Sequence, residues 1–236
     1  MTIAVERHAV AVPDGACTLA LHLPESPARV PCVLACHGLG ASKDSDKYLL
    51  LGEELPRVGL GLARFDFRGC GESTGVERDT TIATRIEDAM AVLERLAKHP
   101  RLDGRVGLLG SSMGGFVALH VAAARANGTP VVTWNAPSDF ARLRRPEPPN
   151  GLGPRFIAEV EAGRYASTPT GVTRHLIVQA EGDDVVPPSH AATLHARAAA
   201  PKWLVTIPGA DHRLTDRGHR RAALEASVTW FLKFLG

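Results

Sequence analysis

The stretch RVGLLGSSMGGFVALH, residues 105–120, changes character halfway along its length. Its apolar start predicts a short buried strand over 105–109, and the run from Phe116 onward predicts a helix. Between them, residues 110–114 match G-x-S-x-G with Ser112 at the centre. In that motif a sharp turn between strand and helix projects the serine hydroxyl out of the sheet, and larger side chains in place of the glycines would collide with the neighbouring backbone. Ser112 is therefore the predicted nucleophile, and Ser111 should face elsewhere; the alternative is a tight glycine turn with a capping serine.

The chain on both sides of this stretch alternates between strand and helix patterns. Residues 3–12 and 16–23 form a predicted hairpin, and apolar runs and helical spacing follow in turn. Such alternation predicts an α/β fold with a mostly parallel central sheet and helices on both faces. The further predicted strands are 30–35, 60–67, 130–134, 174–179 and 202–207, and the predicted helices are 80–99, 113–126 and 219–235.

The bulk composition is that of an ordinary globular protein. The chain has 236 residues, 44% hydrophobic and 22% charged, which predicts a single domain over residues 1–236. A net charge of +2 gives no reason to expect nucleic acid or an anionic membrane as the main partner. No apolar run approaches the roughly 20 residues of a membrane span, and the first residues lack a secretory pattern, so a cytoplasmic protein is predicted. Four cysteines without zinc-ligand spacing are expected to be reduced, buried thiols: Cys17, Cys32, Cys36 and Cys70.

Two later segments offer the partners that a serine nucleophile needs. A serine hydroxyl becomes reactive when a base, held by a carboxylate, takes its proton, and such groups lie beyond the carboxyl ends of strands. The segment after the strand at 202–207 carries His212, the predicted base, with His219 as the alternative. The order serine, acid, histidine is typical of one class of triad hydrolases. The segment after the strand at 174–179 offers three carboxylates: Glu181, Asp183 and Asp184.

The loop HGLG, residues 37–40, follows a strand at the same predicted edge of the sheet. Stabilising a tetrahedral intermediate takes two N–H donors, and we assign them to the amides of Met113 and Leu39. Gly38 and Gly40 let this backbone approach a ligand closely, so they are predicted to bind substrate together with His37. Within that loop His37 is expected to brace the backbone rather than to act as a second base.

Five motifs together resemble the α/β-hydrolase superfamily: HGLG (37–40), FDFRGCGES (65–73), GSSMGG (110–115), GDDVVP (182–187) and GADH (209–212). The resemblance covers essentially the whole chain, and it is closest to small bacterial serine esterases of the feruloyl-esterase and monoacylglycerol-lipase type. It implies Ser112 as nucleophile, His212 as base, and Asp183 as acid because the family pattern is D-x-V-V-P, with Asp184 as the alternative. It implies no metal and no organic cofactor.

The segment 141–173 departs from the family pattern. The family usually carries a cap here, whereas this segment is short and rich in arginine and proline, with little periodicity. We expect a short lid at about 141–173 that favours small or anionic esters, the alternative being a solvated charged loop. Cys70 stands where relatives often carry histidine, and no reactive thiol is expected there.

The resemblance implies a serine hydrolase that cleaves carboxylic esters through an acyl-enzyme intermediate. Its expected partner is a small or medium-sized ester, and the sequence does not predict an oligomeric state. Because one fold and one triad serve several chemistries, thioesterase, peptidase or amidase, and acyltransferase activities remain alternatives. A non-catalytic binding scaffold is the alternative from outside the enzymes.

Overall fold

One eight-stranded sheet organises the computed structural model, which describes residues 3–26, 28–140 and 152–236. The strand order is β1-β2-β4-β3-β5-β6-β7-β8; β1 and β2 run antiparallel to their neighbours, and all pairs from β4 to β8 are parallel. The mostly parallel sheet predicted from the sequence is thus confirmed. The strands are β1 (Ile3–Val12), β2 (Gly15–Pro24), β3 (Val30–Cys36), β4 (Gly61–Phe65), β5 (Leu102–Ser111), β6 (Val131–Trp134), β7 (His175–Ala180) and β8 (Lys202–Ile207).

Helices cover both faces of the sheet, as predicted. Side chains alternate along each strand, so Leu108 of β5 joins a core with α2 and α3, whereas Leu109 joins one with α1 and α6. The helices are α1 (Asp46–Arg57), α2 (Ile82–Ala97), α3 (Met113–Arg125), α4 (Pro154–Glu161), α5 (Ser189–Arg197) and α6 (Arg217–Leu235). None of these helices combines the length and the apolar character that crossing a bilayer requires.

Local sequence explains where these elements begin and end. A capping box of Thr81 and Thr84 starts α2, which ends shortly before Pro100. Strand β5 starts at Leu102, three residues before the predicted position. The sequence prediction did not include α1 and α5, of 12 and 9 residues. In α1 the buried residues Tyr48, Leu51 and Leu55 do have helical spacing, so this pattern was present and missed.

The predicted lid segment is only partly described. Residues 141–151, which include Arg142, Arg144 and Arg145, lie outside the described residues. The rest is not the continuous loop that the lack of periodicity predicted, because α4 forms within it. Pro154 occupies the first turn of α4 and Phe156 is buried in the core. The Glu159 carboxylate accepts hydrogen bonds from the N–H groups of Ile82 (2.6 Å) and Ala83 (3.1 Å), so α4 is anchored on the N-terminus of α2.

Candidate active site

The reversal of strand order between β3 and β5 brings the loops after these strands to one edge of the sheet, where Ser112 lies. Ser112 sits between β5 and α3 with φ +54° and ψ −126°, a conformation that costs a non-glycine residue about 1–3 kcal/mol. A Cβ at Gly114 would lie 2.1 Å from the Cys36 carbonyl oxygen, and one at Gly110 would lie 2.2 Å from the Gly114 carbonyl oxygen. Only glycine fits these two positions, so the elbow depends on both.

A hydrogen-bonded relay links the three side chains singled out in the sequence. His212 Nε2 lies 3.1 Å from Ser112 Oγ, and His212 Nδ1 lies 2.7 Å from Asp183 Oδ2. The Asp183 carboxylate can accept only, so Nδ1 carries the proton and Nε2 is left free to accept one from the serine hydroxyl. This arrangement is that of a nucleophile, a base and an orienting acid.

Asp183, rather than Asp184, contacts His212. The Asp183 side chain has no exposed surface, and its Oδ1 accepts hydrogen bonds from the N–H groups of Val185 (2.9 Å) and Val186 (2.7 Å). These bonds fix the carboxylate and leave Oδ2 for the histidine. Asp184 is exposed, and His219 lies in α6 beside Asp216, 4.0 Å away.

The loop that carries His212, residues 208–214, is positioned by a residue that the sequence analysis missed. Asn135 follows β6, is 1% exposed, and donates from Nδ2 to the His212 carbonyl oxygen at 2.8 Å. Its Oδ1 accepts from the Ala180 N–H at 2.7 Å, so one amide ties the histidine to the end of β7. Gly209 N–H donates to Glu181 Oε2 at 3.0 Å and supports the same loop. The only sequence signal for Asn135 was its position directly after a predicted strand, at the edge of the sheet where Ser112 lies.

Two backbone N–H groups in segments next to the serine are the predicted oxyanion donors. Within the described ranges neither the Leu39 N–H nor the Met113 N–H has a hydrogen-bond acceptor, so both amides are available to a ligand. Met113 is the first residue of α3, whose N-terminus favours negative charge. Gly38 packs against the serine, since a Cβ there would lie 3.1 Å from Ser112 Cβ. Met113 directly follows Ser112, and the loop that carries Leu39 contacts the serine through Gly38, so both predicted oxyanion donors lie in segments next to Ser112.

His37 and Gly40 are both engaged with protein groups. His37 is 1% exposed; the Phe67 N–H donates to its Nε2 at 3.1 Å, and its Nδ1 donates to the Gly38 carbonyl oxygen at 2.8 Å. Burial lowers the pKa of His37 to about 4, and it remains the neutral brace that the sequence suggested. Both ring nitrogens are thus used by backbone groups, and the substrate contact predicted for His37 stays a prediction. Gly40 is exposed and its N–H donates to Glu77 Oε1 at 3.3 Å; that carboxylate also accepts from buried Arg85.

Buried charges hold the loop of residues 37–45. Lys43, 2% exposed, donates from Nζ to Asp66 (3.0 Å), Glu72 (2.6 Å) and Asp44 (2.8 Å). Burial opposes the charged form of Lys43, but these three carboxylates raise its pKa above the ordinary range. Asp66 is fully buried and also accepts from the Lys43 N–H at 2.7 Å. Both ends of Lys43 are thus bound to the segment that follows β4.

Ser111 faces away from the relay, as predicted. Its hydroxyl is buried and accepts a hydrogen bond from Lys47 Nζ at 2.8 Å. Burial lowers the pKa of Lys47 to about 8, with the charges of Arg220 and Arg213 acting in the same direction. Lys47 belongs to α1, so this bond connects the helix that follows the 37–45 loop to the residue before the nucleophile.

All four cysteines are free and buried, as the sequence predicted. Burial raises the pKa of the Cys70 thiol to about 12, and its Sγ lies 3.3 Å from Glu77 Oε1. A neutral, buried thiol is a poor nucleophile, so Cys70 serves packing and hydrogen bonding.

One cluster with metal-ligating groups, Glu6, His8 and His99, lies outside this site. Arg95 donates to His8 Nδ1 (3.2 Å) and the Arg101 N–H donates to His99 Nδ1 (3.2 Å), so both histidines carry their proton on Nε2. Each Nε2 donates to Glu6 Oε2, at 3.1 and 3.0 Å. A metal ion would need the Nε2 lone pairs, whereas this hydrogen bonding uses both nitrogens as donors.

Comparison with known sequences gives a family match and distant relatives. A family model described as serine aminopeptidase, S33, matches residues 27–137, a range that contains Ser112 but neither Asp183 nor His212. An uncharacterized protein of Mycobacterium tuberculosis is 27% identical over 202 residues, which cover 83% of this chain and 68% of that protein. Mouse palmitoyl-protein thioesterase ABHD10 is 29% identical over 97 residues, covering 41% of this chain and 31% of that protein.

Solved structures match over nearly the full length. Est1E from Butyrivibrio proteoclasticus, with ferulic acid bound, has a TM-score of 0.83 at 19% identity, covering 96% of this chain and 98% of Est1E. Mouse alpha/beta hydrolase domain-containing protein 10 has a TM-score of 0.80 at 18% identity, covering 97% of this chain and 99% of that one. At sequence identities of 19% and 18%, these structural similarities establish the fold alone.

Proposed function

This chain has the α/β-hydrolase fold, and from that premise we propose that it is a serine hydrolase that cleaves small or medium-sized carboxylic esters. One observation carries the proposal: the continuous contact from Asp183 through His212 to Ser112, with distances of 2.7 and 3.1 Å. These residues come from three separate loops, and hydrogen bonds from the Val185 and Val186 N–H groups and from Asn135 orient the acid and the loop that carries the base. Such convergence is what activating a serine hydroxyl requires.

In the first half-reaction His212 Nε2 takes the proton of Ser112 Oγ while that oxygen bonds to the ester carbonyl carbon. The carbonyl oxygen gains the negative charge and is stabilised by the N–H groups of Leu39 and Met113. Asp183 stabilises the imidazolium that forms. The tetrahedral intermediate then collapses, the bond to the alkoxy oxygen breaks, and His212 donates its proton to the departing alcohol.

In the second half-reaction water attacks the acyl group on Ser112. His212 takes a proton from the water as its oxygen bonds to the carbonyl carbon, and the same two amides stabilise the oxyanion. Collapse releases the carboxylic acid, and His212 returns the proton to Ser112 Oγ. The sequence of steps uses only residues of this chain and water.

The substrate size is proposed from the lid segment. Helix α4 is 8 residues long, and Phe156, Phe140 and Phe116 pack in succession between it and α3. An element anchored this closely supports a shallow site in preference to a long acyl tunnel. Est1E, which shares the fold, holds ferulic acid, a compact aromatic acid.

A thioester is the second candidate substrate, because mouse ABHD10 is named a palmitoyl-protein thioesterase. The same relay would cleave a thioester, since attack and oxyanion stabilisation are the same and only the leaving group changes. A panel of p-nitrophenyl esters and acyl thioesters of matched chain length separates the two. A higher kcat/KM for short esters supports the ester proposal, and a clear preference for long thioesters overturns it.

The mechanism is tested by labelling with a fluorophosphonate and by two adjacent substitutions. Ser112→Ala should abolish labelling and lower kcat by at least about 10⁴-fold, because the nucleophile is removed. Ser111→Ala is the matched control: it removes a hydroxyl one residue away, and labelling should persist. A folded wild-type protein that does not label would favour the binding scaffold, and labelling that survives in Ser112→Ala would assign the nucleophile elsewhere.

A further inference from the structure

The two edge strands of the sheet differ in how they are protected. β1 presents the charged or polar side chains of Glu6, Arg7 and His8, which discourage another strand from pairing with that edge. β8 carries one charge, Lys202, followed by the uncharged run WLVTI over residues 203–207. Within the described residues, only β7 makes backbone hydrogen bonds with residues 202–206. Over residues 203–207 the outer edge of β8 is therefore open and uncharged.

An apolar groove lies beside this edge, away from the relay. It has a volume of about 530 Å³ and lies between β8 and α6. Trp203 is 63% exposed, the highest exposure among the large hydrophobic side chains described. Exposed aromatic side chains next to an open strand edge are typical of interfaces rather than of free surface. The groove is lined by Leu176, Trp203, Val205, Ala222, Glu225, Ala226, Thr229, Trp230 and Lys233.

We propose that this β8–α6 surface, formed by β8 and the groove-lining residues of α6, binds a second copy of the chain. A twofold axis perpendicular to the sheet would pair β8 with its counterpart antiparallel, extending the sheet across both protomers. Trp203 and Val205 lie on the α6 side of the strand. The twofold axis keeps the α6 sides of both copies on the same face of the extended sheet, so the groove-lining residues of each copy cover the exposed Trp203 of the other. The two α6 helices then run antiparallel on the same face.

The charges of α6 fit this symmetry. Glu225 and Lys233 both line the groove, and they are spaced equally about Thr229. An axis passing near Thr229 brings Glu225 of each copy opposite Lys233 of the other, giving two opposite-charge pairs. An interface between identical surfaces must be self-complementary, and an acidic and a basic end flanking an apolar centre meet that condition.

The first test is the mass of the full chain in solution. Sedimentation velocity on the wild type at micromolar concentration should give twice the 25.1 kDa of one chain. Trp203→Lys should raise the dimer Kd by about 30-fold or more, because it removes the central aromatic contact. Val5→Lys is the matched control, since Val5 is 50% exposed on the other edge strand, and it should leave the dimer intact. All three proteins should keep the same ester turnover and circular dichroism.

The second test exchanges the charges. Glu225→Lys and Lys233→Glu should each weaken the dimer, because each creates like-charge pairs across the axis, and the double exchange should restore it. Glu225 also pairs with Arg221 of its own helix at 3.3 Å, a contact that the double exchange does not restore. Recovery of the dimer affinity in the double exchange would therefore show that residues 225 and 233 of the two copies are in contact. A monomeric wild type, a dimer that survives Trp203→Lys, or a double exchange as weak as the single ones would each overturn the proposal.

Discussion

The two loops that contact Ser112 are held by different kinds of interaction. The oxyanion-side loop, residues 37–45, is held by buried ions, with Lys43 bound to Asp66. The histidine loop, residues 208–214, is held by single hydrogen bonds to backbone atoms, above all from Asn135 to the His212 carbonyl oxygen. One side of the site therefore depends on charge taken out of water. The other depends on single hydrogen bonds to loop backbone atoms, made by buried Asn135, by Arg220 and by the exposed Glu181 carboxylate.

This difference predicts different consequences when the two loops are altered. Losing one partner of a buried ion pair leaves the other charge desolvated, so changes on the oxyanion side should mainly lower stability. A hydrogen bond that orients the base fixes its position, and a displacement of about 1 Å is enough to slow the reaction by about 100-fold, so changes on the histidine side should mainly lower turnover. Both loops serve the same serine, and substitutions can separate the two effects.

The largest effect is expected on the histidine side, from Asp183→Asn. The amide that replaces the carboxylate can donate to His212 Nδ1 and so favour the tautomer that cannot accept the serine proton. A loss in kcat of about 10⁴-fold is expected, measured with a p-nitrophenyl ester near neutral pH, with a small change in melting temperature. Asp184→Asn is the matched control, since Asp184 is exposed, and it should retain most activity. The reverse ranking would move the acid by one residue.

On the oxyanion side, Lys43→Met should lower the free energy of unfolding by about 3–5 kcal/mol, because buried Asp66 loses its cation. Urea denaturation measures this change. Arg213→Met removes an exposed cation from the histidine loop and should change the stability by less than about 0.5 kcal/mol. Equal losses in the two variants would show that buried charge does not distinguish the loops.

Asn135→Ala should lower kcat by about 10- to 100-fold, because the histidine loop loses its tie to the end of β7. KM should change little, since Asn135 is buried and does not reach the solvent. kcat and KM should be measured well below the melting temperature of the variant, so that any loss of stability does not reduce the folded fraction. A drop in stability with unchanged kcat would assign Asn135 a purely structural role.

The strand positions and the three relay residues could be predicted from sequence because their signals are local. Ser112 lies in a motif at a strand end, and Asp183 and His212 each follow an apolar run. The α/β-hydrolase resemblance is confirmed by the fold. Periodicity could not reveal α4, because 8 residues make barely two turns and its support comes from α2.

The groups that hold the loops could not be predicted in the same way. Asn135 bonds to backbone atoms 45 and 77 residues further along the chain. A bond to a backbone atom does not depend on the type of residue that carries the atom, so the sequence does not reveal it. Lys43 and Asp66 lie 23 residues apart, in segments with the composition of ordinary loops. Only their burial distinguishes them from charged residues at the surface. Sequence motifs thus indicate the side chains that we propose to react, whereas the groups that hold them in place are identified only from the folded structure.

The smallest effect concerns acid, and it should again fall on the oxyanion side. His22 Nε2 accepts a hydrogen bond from Arg64 at 2.8 Å, and Arg64 also bonds to the Lys43 carbonyl oxygen at 3.1 Å. Burial, with the Arg64 charge, lowers the pKa of His22 to about 4 from an ordinary 6.5. The unfolded chain therefore binds more protons between these values, so stability is complete above about pH 6.5 and is lost as the pH falls towards 4.

The variant His22→Gln distinguishes the protonation of His22 from the protonation of every other group in the chain. The side-chain oxygen of Gln can accept from Arg64 as His22 does, but it takes up no proton. Unfolding in urea at about pH 7.5 and pH 5.5 should show the wild type losing about 1 kcal/mol more than His22→Gln on acidification. Equal losses would mean that the His22–Arg64 contact tolerates a proton and that His22 does not make the oxyanion side sensitive to acid.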